Sequence, residues 1–273
     1  MVVRASRLAL AVLLLLGPGL GRAEPMPSPM TEQPAPGDLP DGHAPWPVRA
    51  EYVGPTDRYP HGILGRITGW GGLVVDLQIC PVCEPVRAQI NLPEARVFED
   101  LAPRLWDVTG DGRPEVVVIE SDAEFGARLV ALEAKAGATG DELLLQLRAA
   151  TPFIGTRFRW LAPVGAADFT GDGVAEIAYV ETPHLGRILR LVTLKGDRLV
   201  EIAHLEGVTN HAIGEEHLDG GIRVCDGRPE IIARTGDRSQ ILVIRYEEDV
   251  LIPTVLGPAG EAIIWERALT CAP

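Results

Sequence analysis

The chain has 273 residues, 46% hydrophobic and only 5% aromatic, with 30 Gly and 23 Pro. That much Gly and Pro argues against a bundle of long helices, and the lack of a three-residue Gly period excludes collagen. A net charge of −13 leaves no electrostatic reason to bind nucleic acid or an anionic membrane surface.

Residues 1–23 carry the three parts of a secretory signal peptide. Arg4 and Arg7 are followed by the apolar run from Leu8 to Leu16 and then by small residues ending at Ala23. The run is shorter than the about 20 residues that a membrane-spanning helix needs. Export with cleavage after Ala23, into a periplasmic or extracellular space and without a membrane span, is therefore expected. Lys135 and Lys195 are the only lysines, so nearly all basic residues are Arg, which points to the GC-rich genome of a bacterium. Residues 24–47 hold eight prolines in 24 positions and read as a Pro-rich disordered linker. The folded part is expected over 48–273, as one repeat-built domain.

Short β-rich runs bounded by turn residues fill that region, in three segments that resemble one another. They are 107–120 (DVTGDGRPEVVVIE), 168–181 (DFTGDGVAEIAYVE) and 222–235 (IRVCDGRPEIIART), at spacings of 61 and 54 residues. Each is followed by a second β-rich run, and residues 50–100 read as a fourth, eroded copy without an acidic loop. Upstream, Phe98 with Leu101-Ala102-Pro103 matches Phe158 with Leu161-Ala162-Pro163. Units of three or four short strands cannot bury a core alone and must pack face to face. The expected fold is all-β: a β-propeller of about four repeats with four or five blades, or alternatively a β-sandwich.

Four cysteines in an exported chain imply disulfides. Cys225–Cys271 and Cys80–Cys83 are the favoured pairs. Cys80-Pro-Val-Cys83 is read as a local bridge, because no helix follows it as a redox site would need and no second Cys pair completes a zinc site. Closing the long Cys225–Cys271 loop is worth up to about 4 kcal/mol on the chain-entropy model.

The motif Asp-x-Thr-Gly-Asp-Gly-x-x-Glu carries the chemistry. Calcium takes six to eight hard oxygens collected from a tight turn. The first set is Asp107, Thr109, Asp111, the carbonyl of Arg113, and Glu115. The second is Asp168, Thr170, Asp172, the carbonyl of Val174, and Glu176. Three carboxylates in so short a turn repel one another without a cation. Gly112 and Gly173 stand where the chain bends and positive φ is expected. The same residues also suit a bare turn in which Asp and Thr bond the loop's own amides. The third segment keeps Asp226 and Glu230 but has lost other ligands, and metal binding there stays open.

These loops resemble those of FG-GAP/VCBS-type repeats, the unit of the integrin α-subunit N-terminal β-propeller and of many exported bacterial proteins. The resemblance spans most of 50–250, and the two nine-residue loops are its specific part. It implies calcium on positions 1, 3, 5 and 9, which are Asp107, Thr109, Asp111 and Glu115, then Asp168, Thr170, Asp172 and Glu176. Family loops commonly run Asp-x-Asp-x-Asp-Gly-x-x-Asp, where this chain has Thr at position 3 and Glu at position 9.

No nucleophile elbow or phosphate loop is present. Asn210, His211, Glu215, His217 and Asp219 form the densest polar run. A zinc set of His211, Glu215 and His217 is conceivable, but the spacing is not His-Glu-x-x-His and the flanking glycines suggest no helix, so a solvated loop is expected. His61 and His184 are read as isolated loop residues. The expected function is non-enzymatic: a calcium-stabilised module that binds a protein or glycan. The alternative is an extracytoplasmic hydrolase or lyase using His211, His217 or spare carboxylates, and a third reading is a periplasmic accessory subunit tethered by its proline-rich arm.

Overall fold

The computed structural model describes residues 44–66, 69–136, 143–260 and 262–271. The signal segment and the linker up to residue 43 lie outside the described residues. Trp46 and Pro47, expected at the end of the linker, instead open the first strand: once its partner strand is in register, Trp46 pairs with Gln78 and Pro47 with Leu77.

Strands β1 (Trp46–Pro55), β2 (Trp70–Gln78) and β3 (Val86–Asn91) form an antiparallel meander. The next group is β4 (Arg96–Phe98), β5 (Arg104–Trp106), β6 (Glu115–Asp122), β7 (Gly126–Ala136) and β8 (Leu143–Ala150). Here β4 and β5 both pair β6, as one strand broken in the middle. The third group runs β9 (Leu161–Ala167), β10 (Glu176–Glu181), β11 (Ile188–Lys195) and β12 (Arg198–Glu206). The last has β13 (Val208–Thr209), β14 (Gly221–Cys225), β15 (Arg228–Thr235), β16 (Gln240–Glu247) and β17 (Val250–Pro258), followed by helix α1 (Ala262–Thr270). The all-β expectation holds, with α1 as an addition that the sequence reading did not include.

The first three groups count as one 12-stranded sheet and the last as a 5-stranded sheet. The joins inside the larger sheet are thin. Trp70 pairs Phe98 between β2 and β4, and Arg198 pairs Ala150 between β12 and β8. Within each group, by contrast, the main hairpin partners share four or more residue pairs. The local meander is thus the unit that the hydrogen bonds define.

Packing follows from strand alternation. In β6 all residues are buried: Val117 and Ile119 enter one apolar cluster, and Val116 and Val118 enter another. The second meander is therefore covered on both faces, which its unbroken Val/Ile run permits. In β16, Leu242 and Ile244 face the larger cluster while Ile241 and Val243 face Ala268 and Trp265 of α1. Gly165 in β9 leaves room for Ile222 of β14, so these two strands come close without sharing a ladder. The β1–β2 connection also reaches the last group, where Gly214 N donates to Ile63 O at 2.9 Å.

Both expected disulfides form, Cys80–Cys83 and Cys225–Cys271. Gln78 Nε2 donates to the carbonyls of Cys80 and Cys83, fixing the small loop as a local bridge. Among the described residues, no helix is long and apolar enough to cross a membrane.

Candidate cation-binding loops and a histidine-rich end

The two acidic loops join β5 to β6 and β9 to β10, and their geometry is nearly the same. Asp107 Oδ1 accepts from Gly110 N (2.8 Å) and Asp111 N (3.2 Å), and its Oδ2 accepts from Gly112 N (2.8 Å). Asp168 accepts from Gly171 N (2.6 Å), Asp172 N (3.1 Å) and Gly173 N (3.0 Å). Arg113 and Val174, expected to offer carbonyls, also donate their amides to Asp111 Oδ1 (2.9 Å) and Asp172 Oδ1 (2.8 Å). Gly112 and Gly173 have φ of 85° and 88°, as the turn requires.

Glu115 and Glu176 close the loops from below. Glu115 accepts from Val108 N (2.9 Å) and Thr109 Oγ1 (3.2 Å). Glu176 accepts from Phe169 N (2.9 Å), Thr170 N (3.2 Å), Thr170 Oγ1 (3.2 Å) and Thr193 Oγ1 (3.1 Å). Both carboxylates are buried, at 4% and 0% exposure. Neither forms an ion pair with any Arg, Lys or His among the described residues. Burial raises the Glu115 carboxyl above its ordinary value, and the charges of Asp111 and Asp107 add to the rise. Burial raises Glu176 likewise.

The third loop solves the same problem differently. Glu230 occupies the position of Glu115 and Glu176 in the repeat, and Arg223 Nε (2.7 Å) and Arg245 Nε (2.6 Å) bind its two oxygens. Burial pushes the Glu230 carboxyl up, but the two arginines outweigh it and hold it below its ordinary value. Asp226 takes a positive φ of 52°, and its neighbour Cys225 is tied to Cys271. Two guanidinium groups and a disulfide do here what the first two loops leave undone.

The donor set of those two loops fits calcium in kind: hard oxygens, a tight turn, and a buried carboxylate without a counter-charge. The carboxylates are not drawn together, however. Among the described residues, the one group of three acidic or histidine ligands within 4.8 Å of one another lies elsewhere. An ion would have to pull in Asp111 or Asp172, both exposed at the loop mouth. A carboxylate has about four lone-pair sites, so bonds to amides leave some for a cation. Between the second and third loops lies a cleft of about 270 Å³, with Asp168, Thr170, Arg228 and Tyr246 on its walls.

The opposite strand ends gather histidines that lie far apart in the sequence. His61 Nδ1 meets Glu99 Oε1 at 2.7 Å, and Ser121 Oγ donates to Glu99 Oε2 at 2.6 Å. Burial raises the Glu99 carboxyl. His184 Nε2 and His211 Nδ1 are 2.8 Å apart, and His211 Nε2 lies 2.9 Å from the carbonyl of Glu215. A carbonyl only accepts, so His211 Nε2 carries the proton and its Nδ1 accepts from His184. His61 and His184 line one small cavity of about 30 Å³ with Arg159 and Trp160. The run 210–219 is not a solvated loop throughout, because Asn210 and His211 are buried. The Asn210 amide donates to Ala162 O (3.3 Å) and Pro163 O (3.2 Å), which anchors the run in the core. His211 is engaged with His184 and does not group with Glu215 and His217; Asp219 takes its place.

No family model matches the sequence, and no curated protein matches it.

Proposed function

We propose that the chain is an exported, propeller-like repeat protein whose first two acidic loops are calcium clips, and that it serves as a non-enzymatic binding module for a protein or glycan. One observation carries the calcium reading. The same glutamate position recurs in three loops; in the third it has two arginines, and in the first two it is buried with no cation. A buried carboxylate without a counter-charge is costly, and calcium on Glu115 and Glu176 removes that cost. Asp107, Thr109 and Asp111, with their counterparts Asp168, Thr170 and Asp172, supply the remaining side-chain oxygens, in the resemblance to FG-GAP/VCBS repeats noted above. With so few carboxylates per site, affinity belongs in the weak extracellular range of ~10⁻⁴ to 10⁻³ M. Isothermal titration with calcium should give two weak sites, and Asp111→Ala and Asp172→Ala should each remove one. Full heat in both variants would reject the clips.

For the binding role, the cleft between the second and third loops is the surface of choice, since it is concave and mixes Arg228, Tyr246 and Asp168. A glycan or peptide array should lose its signal with Tyr246→Ala; an unaltered signal would move the binding surface elsewhere.

A second reading, a hydrolase or lyase, is favoured by one arrangement that involves neither His211 nor His217. Glu99 holds His61 by Nδ1, as a general base is held, and His61 borders a cavity. That recess, of about 30 Å³, is far smaller than the roughly 300–1,000 Å³ of an ordinary ligand pocket, so the binding reading stands first. An activity on hydrolase panels abolished by His61→Ala would reverse the order.

A further inference from the structure

We propose that Glu215, His217 and Asp219, in the connection between β13 and β14, form a surface site for a divalent cation of the zinc class, separate from the acidic loops. One ligand atom from each of the three lies within 4.8 Å of the others. His217 Nε2 stands 3.9 Å from Glu215 Oε2 and 3.7 Å from Asp219 Oδ1. These gaps are too long for hydrogen bonds. They are slightly wider than the about 3.4 Å that separates ligands on a tetrahedral zinc ion, given metal–ligand bonds of about 2.0–2.2 Å. An imidazole placed between two carboxylates and bonded to neither leaves a space for an ion.

A second observation is independent of that spacing. Asp219 has a side chain only 10% exposed; its Oδ1, the oxygen nearest His217, is bound by Arg234, while its Oδ2 is buried with no hydrogen-bond partner. A buried carboxylate oxygen left unpaired is costly, and a bound cation would satisfy it. The other carboxylate atoms are already held. Arg234 donates to Asp219 Oδ1 at 2.9 Å, Arg238 to Glu215 Oε1 at 2.7 Å, and Ala212 N to Glu215 Oε2 at 3.1 Å. Such outer contacts orient metal ligands and fix their rotamers. The two arginines also lower the affinity by their charge. His217 is 62% exposed, so the fourth position faces solvent. One imidazole with two carboxylates favours zinc over calcium, which prefers oxygen alone.

The test is zinc titration of the full chain by calorimetry, with calcium in excess so that the acidic loops do not compete. His217→Ala touches an exposed side chain and should leave folding intact, as melting will show. The wild type should bind one more zinc ion than His217→Ala, and Asp219→Asn should weaken that site at least tenfold. His204→Ala, at an exposed histidine paired to Glu201, should behave as wild type. Equal zinc stoichiometry and affinity in the wild type and His217→Ala would overturn the proposal.

Discussion

Gly110 of the first acidic loop lies against the carbonyl of Gly173 in the second, so close that a Cβ on Gly110 would fall well inside 3.0 Å of that oxygen. The equivalent residue in the second loop, Gly171, has open space around it. Both have positive φ, 74° and 78°. The two loops are therefore stacked, and successive meanders meet through their acidic turns as well as through their apolar faces.

The pair gives a matched experiment. Gly171→Ala should cost about 1–2 kcal/mol, the price of a left-handed alanine. Gly110→Ala carries the same strain and must also push the second loop away, so its loss should be larger by at least about 1 kcal/mol. Denaturant unfolding of both variants measures the difference. Equal losses would mean that the loops are not in contact.

The unpaired glutamates allow a test in which the sign changes. Glu176→Gln removes a buried negative charge while keeping an oxygen for Phe169 N and Thr170 N. In chelator it should be neutral or stabilising, because no cation is lost. In millimolar calcium it should melt below the wild type. Glu230→Gln should destabilise in both conditions, since Arg223 and Arg245 lose their partner. Melting curves of the two variants with and without calcium decide the matter.

A second buried charge cluster has no part in the loops. Glu120 accepts from Arg128 Nε at 2.6 Å and from Arg96 Nη1 at 3.2 Å, and Arg96 Nε reaches Asp122 at 3.0 Å. Arg128 also lies over the ring of Phe153 at 4.4 Å. Glu120→Ala should cost about 3–5 kcal/mol, because it strands Arg128 in the core. Glu120→Leu combined with Arg128→Met should cost less than the sum of the single changes, as a double-mutant cycle will measure.

At the histidine end, stability should depend on pH. Burial lowers His184 from 6.5 to about 4, with His211, His61, Arg187 and Arg238 adding repulsion. The unfolded chain therefore takes the proton first, and this group's contribution is complete above 6.5. It is lost as pH falls from 6.5 towards about 4, below which it changes no further. Denaturant midpoints measured from pH 7 to 4.5 should fall less steeply for His184→Gln than for the wild type. Parallel curves would assign the acid sensitivity to other groups.

Local pattern made much of the fold legible in the sequence. The run Val116-Val117-Val118-Ile119 and its counterparts in the third and fourth groups became β6, β10 and β15, and Asp-Gly marked the turns before them. The disulfides followed from four cysteines in a chain read as exported. Contacts distant in sequence were not legible. His61 and Glu99 are 38 residues apart, and His184 and His211 are 27 apart. Nothing in the neighbourhood of either histidine signals its partner. The polar composition of the run 210–219 points to a solvated loop. Asn210 is buried because its amide binds carbonyls of β9, a strand some 47 residues earlier. Phe98 and Phe158 match in sequence, but Phe98 lies in β4, whereas Phe158 precedes β9 at a φ of 56° and packs on Tyr59 and His61.

Calcium dependence of the melting temperature, read by calorimetry in chelator and then in 1 mM free calcium, tests the clips most directly. Two sites with a Kd of ~0.1 mM would add about 1.4 kcal/mol each, a rise of roughly 5–10 °C for a domain of this size. Asp111→Ala and Asp172→Ala should each remove about half of it. An unchanged midpoint, with both variants melting alike in the two buffers, would contradict the account.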